Sequence, residues 1–142
     1  MIEFGEKIPN QTYLERPGAY AVILKNGLYA IVQNPKSCFL LGGGIEGDET
    51  PEEALHREVL EEIGMSIRID KKIGIATQHL FAPEADLYIS KEGHFYQATL
   101  LDQVSETSET NHELLWLTRE EVLEKLFHES HRWAIDAASI LA

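Results

Sequence analysis

Apolar and polar residues follow one another along this chain in patterns that predict both strands and helices. Two short apolar runs at residues 19–24 and 28–33 are separated by Lys25-Asn26-Gly27, which predicts a hairpin with a tight turn. Further strands are predicted at residues 39–41, 67–75, 94–101 and 114–117. Helices are predicted at residues 51–63, from 119 to about 126, and at 133–141. Strands interleaved with helices predict an α/β (α+β) protein with a mixed β-sheet covered by helices.

The first of these helices has clear start and stop signals. Thr50-Pro51-Glu52-Glu53 places a hydroxyl before the helix, a proline at its first position and a carboxylate three residues after the hydroxyl. Gly64 can adopt the left-handed conformation that ends a helix. The segment between them is therefore predicted to be a capped helix.

Three glutamates lie on one side of that helix. Because successive residues turn by about 100°, Glu58, Glu61 and Glu62 fall within one arc, next to an arc of leucine, isoleucine and valine. Like charges at this spacing destabilise a helix mildly unless a cation lies between them. The pattern is compatible with a solvated acidic face, but carboxylate oxygens are also the ligands that Mg²⁺ and Mn²⁺ prefer.

The helix belongs to a longer motif that begins with Gly42-Gly43-Gly44. Gly43 is followed by Glu49 after five residues, and seven further residues lead to Arg57-Glu58, with Glu61-Glu62 and Gly64 closing the pattern. This segment resembles the Nudix hydrolase signature, G-x5-E-x7-R-E-U-x-E-E-x-G-U with U apolar, at every fixed position. The resemblance implies a Nudix-like α/β/α sandwich with a mixed sheet between helices. It favours the metal interpretation of the three glutamates.

The resemblance also implies roles for individual residues. The backbone carbonyl of Gly42, with Glu58 and Glu62, would hold a first Mg²⁺ (or Mn²⁺), and Glu61 would assist or hold a second ion. The general base is expected to be Glu58, with Glu113 and Glu109 as alternatives in a later loop. Gly43, Gly64 and an ion pair between Glu49 and Arg57 would support the site by orienting the helix.

Family members cleave a nucleoside diphosphate linked to another group X through attack of water on phosphorus. The resemblance makes a nucleoside triphosphate such as 8-oxo-dGTP the first expectation, with release of a nucleoside monophosphate and pyrophosphate. The alternatives are ADP-ribose or a dinucleoside polyphosphate, or a non-catalytic module that binds a nucleotide as a signal. Flat side chains suit contact with a base, and the candidates are Tyr20, Phe39, Phe95 and His131.

Composition narrows the class of partner. The 142 residues predict a single domain spanning 1–142. A formal net charge of −12 argues against nucleic-acid polymers and acidic membranes as partners. The partner that the resemblance implies is a small nucleotide-type substrate. No secretory signal or membrane-spanning stretch is evident, so a cytoplasmic location is expected. The sequence leaves monomer and homodimer open.

Overall fold

The computed structural model describes residues 2–106 and 112–141, the latter without the side chain of Leu141. Its strands are β1 (Ile2–Phe4), β2 (Tyr13–Glu15), β3 (Gly18–Val22), β4 (Leu24–Lys25), β5 (Leu28–Gln33), β6 (Cys38–Gly44), β7 (Met65–Ala82), β8 (Leu87–Gln103) and β9 (Glu113–Leu117). Its helices are α1 (Pro51–Ile63), α2 (Arg119–Lys125) and α3 (Glu129–Leu141). None of the helices in these residues is long and apolar enough to cross a membrane.

The strands form one mixed sheet in the order β1-β7-β8-β3-β6-β5-β4, with β2 on β8 and β9 on β5. Strand β6 changes partner along its length. Residues 38–40 pair with β5, whereas residues 41–44 pair with β3. At the change, the Leu40 N–H donates to His131 Nδ1 on α3 at 3.2 Å. A helix thus supplies the hydrogen-bond acceptor at the point where β6 leaves one neighbour for the other.

Helices cover both faces of the sheet. On one face, Leu55 and Val59 of α1 pack in a buried cluster with Ala21 of β3. On the other face, Val122 of α2 and Ile135 of α3 pack in a second buried cluster. Burial of these aliphatic side chains is the main favourable contribution to holding the layers together. The predicted α/β/α arrangement with a mixed sheet is confirmed.

The hairpin of β7 and β8 is longer than the sequence predicted. The two strands pair from Met65 to Ala82 and from Leu87 to Gln103, whereas the prediction covered only residues 67–75 and 94–101. Register shifts interrupt the ladder at 65/67, 69/71 and 72/74, which is within the predicted part. The missed residues 76–82 and 87–93 pair in regular register, but polar residues such as Gln78, Lys91 and Glu92 leave them without a clear apolar pattern. Strands β1 and β2 were not predicted, and α3 starts four residues before its predicted start.

Candidate active site

Helix α1 is fixed at both ends by the residues that predicted it. The Glu53 N–H donates to Thr50 Oγ1 at 3.1 Å, and the Thr50 N–H donates to Glu53 Oε1 at 2.8 Å. At the other end Gly64 has a φ of 68°, and its N–H donates to the Leu60 carbonyl. These caps satisfy groups that a helix end leaves open. The glutamates of α1 therefore project from a rigid support.

Glu62 is the most deeply buried carboxylate of the site, with 4% of its surface exposed. Its Oε1 accepts a hydrogen bond of 2.9 Å from the Gly42 N–H, and its Oε2 lies 3.5 Å from His112 Nδ1. Gly42 has a φ of 137°, and a Cβ there would overlap the Ala19 carbonyl oxygen, so this position requires glycine. The end of β6, Gly42-Gly43-Gly44, is called the glycine turn below, and it holds Glu62 through the N–H of Gly42.

Glu58 lies against the next residue of the turn. A Cβ on Gly43 would lie only 2.5 Å from Cδ of Glu58, so the absence of a side chain lets the carboxylate approach the backbone closely. Glu58 Oε1 also accepts a hydrogen bond of 3.1 Å from Arg57 Nη1. Glycine and arginine together set where this carboxylate lies.

Arg57 joins the loop before α1 to the helix. Its guanidinium donates to Glu49 Oε2 at 2.7 Å and Oε1 at 3.0 Å, and to the Gly44 carbonyl at 2.8 Å. The predicted ion pair between Glu49 and Arg57 is therefore present. The hydrogen bond from Arg57 lowers the pKa of Glu49, and the hydrogen bond to Glu49 raises the pKa of Arg57. Both groups stay charged at neutral pH.

Glu61 points elsewhere. Its side chain is 39% exposed, accepts a hydrogen bond of 3.3 Å from Arg57 Nη1, and does not line the cleft beside Glu58 and Glu62. Within the described residues, no three His, Cys, Asp or Glu side chains come close enough to hold a metal ion. The helix therefore presents two carboxylates to the cleft, and Glu61 shares Arg57 Nη1 with one of them, Glu58.

These two carboxylates form part of the wall of a cleft of about 640 Å³. The cleft opens where β6 changes partner, since Tyr20 of β3 and Val32 of β5 both line it. The residues that contribute to the wall come from α1, from strands β2, β3, β5, β6 and β8, and from the segments that follow β2, β5 and β6 and precede β9 and α3. They include Glu15, Arg16, Tyr20, Asn34, Phe39, Gly43, Glu58, Glu62, Ile89, Lys91, His112 and His128. A space of this size is within the range of small-molecule sites.

Two of the four predicted base-binding residues line this cleft. Tyr20 and Phe39 do, whereas Phe95 and His131 are 0% and 2% exposed and lie in the core. Phe95 packs beneath the Tyr20 ring, with centroids 5.5 Å apart, and His131 accepts the Leu40 N–H. The prediction that Phe95 and His131 contact a base directly is therefore wrong. Burial, with the nearby Glu58 and Glu62 charges, raises the pKa of Tyr20 to about 12, so its hydroxyl is neutral.

The candidates for the general base differ in whether they line the cleft. Glu113 is exposed at the start of β9 and does not line the cleft, and Glu109 lies outside the described residues. The adjacent His112 does line the cleft, and sequence reasoning missed it. Side chains alternate along β9, so Glu113 lies on the side of Leu115, which packs with α2 and α3. This alternation explains why His112, and not Glu113, lines the cleft. Glu58 remains the base candidate that faces the cleft.

Three further cleft residues were also not predicted. Arg16 follows β2, Lys91 lies on β8 and His128 precedes α3, and all three side chains line the cleft. Lys91 falls in the part of the hairpin that the sequence did not predict, so its neighbours in space could not be inferred. Together with Arg16, Lys91 gives the cleft a positive region.

Solved structures similar to this one include several hydrolases. A NUDIX hydrolase from Nitrosomonas europaea aligns with a TM-score of 0.75 at 19% identity, over 89% of this chain and 90% of that chain. A mutator MutT protein from Bacillus halodurans aligns with a TM-score of 0.68 at 20% identity, over 85% and 80% of the two chains. An ADP-ribose pyrophosphatase from Streptococcus suis aligns with a TM-score of 0.63 at 18% identity, over 87% and 91%. At these identities the likeness shows the fold.

Comparison with curated protein sequences found no match. The family model for the NUDIX domain, however, matches residues 14–137, which is most of the chain and includes the glycine turn, α1 and the whole cleft. The motif, the fold and this match agree. The chain therefore belongs to the Nudix hydrolase family, whose members are hydrolases acting on phosphoric anhydrides.

Proposed function

We propose that this protein is a hydrolase dependent on Mg²⁺ or Mn²⁺ that cleaves a nucleoside diphosphate linked to another group. The observation that carries the proposal is the pair of α1 carboxylates, Glu58 and Glu62, facing one cleft from positions fixed by the glycine turn. Carboxylates held together in a partly buried site repel each other, and a cation relieves that repulsion.

The donors in the cleft fit a hard divalent ion. Glu58 and Glu62 offer carboxylate oxygens, and the Gly42 carbonyl, which the family resemblance implies as a ligand, would add a backbone oxygen; these are the ligand types that Mg²⁺ and Mn²⁺ take. Glu61 is the weaker part of the expected ligand set, because it does not line the cleft. A bound divalent ion would neutralise phosphate charge and lower the pKa of an attacking water.

Glu58 is the residue that we assign as the general base. The oxygen of water forms a bond to phosphorus, the bond from phosphorus to the bridging oxygen breaks, and the water proton passes to the Glu58 carboxylate. Arg57 holds that carboxylate at the cleft wall by the hydrogen bond to Oε1, which keeps it oriented for proton transfer. Arg57 and Glu49 act through this orientation and are positioning residues.

A nucleoside triphosphate such as 8-oxo-dGTP is the first substrate to test. The half-buried ring of Phe39 lines the cleft and can stack on a base, which each of the candidate substrates carries. ADP-ribose and dinucleoside polyphosphates are the alternatives, and one similar structure is an ADP-ribose pyrophosphatase. A non-catalytic nucleotide sensor is less consistent with the chain, because such a protein has no need for two carboxylates facing the same cleft.

The test is a substrate panel with product identification. Purified protein is assayed with Mg²⁺ against 8-oxo-dGTP, the ordinary deoxynucleoside triphosphates, ADP-ribose and diadenosine polyphosphates. We expect turnover of at least one substrate, loss of turnover in excess chelator, and loss in the Glu62→Gln variant. Glu124→Gln on the exposed side of α2 removes an equal charge away from the cleft and should keep full activity. Turnover by Glu62→Gln at the wild-type rate would refute the assignment, and binding without turnover would favour the sensor.

A further inference from the structure

Lys91 and Arg16 form a positive region in the cleft, apart from the α1 carboxylates. The Lys91 Nζ lies 3.2 Å from His128 Nε2, and His128 itself is 5% exposed. Burial, together with Lys91 and Arg132, lowers the pKa of His128 to about 3, so the ring is neutral. A neutral ring nitrogen can accept a hydrogen bond from the ammonium group. His128 thus holds Lys91 in place without neutralising its charge.

Neither cation has an acidic partner in residues 2–106 and 112–141. Every ion pair found there involves other basic groups, although Glu15 also lines the cleft. Burial lowers the pKa of Lys91, and the neighbouring Arg16 lowers it further. Two like charges that are close and lack a carboxylate between them raise the energy of the free protein. The chain has a net charge of −12, so its composition alone would predict that each cation has an acidic partner.

The strand register separates this pair from the carboxylates. Gly18 pairs with Gly93 on one side and with Gly44 on the other, so three glycines lie in one row across β8, β3 and β6. Arg16 and Lys91 each lie two residues beyond that row, which is about 7 Å along the strands. Glu58 lies against Gly43, which pairs with Ala19 and so lies on the opposite side of the row from Arg16 and Lys91. A ligand that reaches both regions must carry acidic groups several ångströms apart.

We infer that Lys91 and Arg16 form an anion subsite that binds an additional acidic group of the substrate, beyond the diphosphate that is cleaved. This inference rests on the proposed function. The chemistry required is an anionic oxygen group, and it can come from either of two sources. One is the terminal phosphate of a nucleoside triphosphate, and the other is an acidic substituent on the group X. Both would pair with the lysine ammonium and the arginine guanidinium by charge-assisted hydrogen bonds.

The first arm of the test needs neither metal nor turnover. Inorganic phosphate is titrated into the chain in the presence of EDTA, and the amide signals of Arg16, Ser90 and Lys91 are followed by NMR. We expect these signals to shift in the wild type and the affinity to fall about 10- to 100-fold in Lys91→Met, as for loss of a hydrogen bond to a charged group. Lys91→Arg should retain binding, which separates charge from folding. Lys25→Met removes an equal charge on exposed β4, outside the cleft, and should bind as the wild type does.

The second arm identifies the source through pairs of substrates that differ by one acidic group. A nucleoside triphosphate is compared with its diphosphate, and UDP-glucuronate with UDP-glucose. Lys91→Met and Arg16→Gln should lower kcat/KM about 10- to 100-fold for the more acidic member of one pair only. That pair names the source. Equal effects on both members of each pair, with unchanged phosphate binding, would overturn the inference. Absence of turnover on every substrate would count against the proposed function, while the phosphate titration would still decide the subsite.

Discussion

The contact between Gly43 and Glu58 gives a sharp test of how the glycine turn controls the site. A Cβ added at Gly43 would lie 2.5 Å from Cδ of Glu58 and 2.6 and 2.7 Å from its two oxygens. Ordinary contact begins at 3.4 Å, so in Gly43→Ala the carboxylate must move by about 0.7 to 0.9 Å. Gly43 does not have a positive φ, so its backbone accepts alanine. The substitution therefore acts on the position of one side chain.

A displacement of this size is large for catalysis and small for stability. A misplacement of about 1 Å at a reacting group can lower turnover about 100-fold. Moving Glu58 also lengthens its 3.1 Å hydrogen bond to Arg57, which is a partly exposed contact worth about 1 kcal/mol or less. We therefore expect Gly43→Ala to lower kcat about 100-fold and the free energy of unfolding by less than about 1 kcal/mol.

The neighbouring glycine is the matched control. A Cβ on Gly44 would meet only the Pro17 carbonyl oxygen, at 4.0 Å, so Gly44→Ala fits without displacing anything. Both variants are compared with wild type for turnover of the best substrate in the panel, for Mn²⁺ affinity by calorimetry, and for thermal melting. If Gly43→Ala kept turnover and Mn²⁺ affinity within twofold of Gly44→Ala, the position of Glu58 would not limit the reaction and our account of the turn would fail.

Three other predictions concern the ion-pair network, the buried carboxylate and acid stability. Arg57→Met and Glu49→Gln should each lower melting temperature and turnover, and because the two residues act as one unit the double variant should lose far less than the sum; additive losses would contradict this. Glu62→Gln should keep the fold, because its amide oxygen can still accept the Gly42 N–H, yet Mg²⁺ should no longer raise its melting temperature as it does in the wild type. His128 has a pKa of about 3 in the folded chain, so below about pH 6.5 the unfolded chain binds a proton that the folded chain does not. The free energy of unfolding should therefore fall as the pH is lowered toward 3, by up to about 1.4 kcal/mol per pH unit. Urea melts at pH 7, 6 and 5 should show a shallower loss in His128→Gln, and an unchanged slope would contradict the buried neutral state.

The parts of the site that sequence predicted correctly depend on local rules. The caps of α1 follow from residues three positions apart, and the pairing of Glu49 with Arg57 joins residues eight positions apart within one motif. The direction of Glu61 was not predictable from helical spacing alone. Glu61 shares the helix side with Glu58 and Glu62 and, like Glu58, bonds Arg57 Nη1, yet it does not line the cleft. Spacing places a side chain on one side of a helix, but it does not determine where the carboxylate ends.

The errors concern contacts between distant parts of the chain. His131 was predicted to meet a base because its side chain is flat, but it accepts a hydrogen bond from Leu40, 91 residues away. Lys91 was missed because the hairpin residues around it, Ser90, Glu92 and Gly93, do not form an apolar run. Neither position can be derived without knowing how β8 and α3 pack. The charge of the whole chain is also a poor guide to a cleft that collects two of its few cations.

The hydrogen bond from Leu40 to His131 has a further consequence for how this cleft can vary. A strand that leaves its neighbour exposes backbone groups, and an unsatisfied buried N–H costs about 1 to 3 kcal/mol. Here the His131 imidazole accepts the Leu40 N–H, so this group is satisfied at the point where the pairing of β6 changes from β5 to β3. Leu40 lines the cleft, whereas His131 does not. Substitutions on the hidden face of α3 can therefore widen or narrow the opening, and the specificity of the pocket can change without altering any residue that meets the ligand.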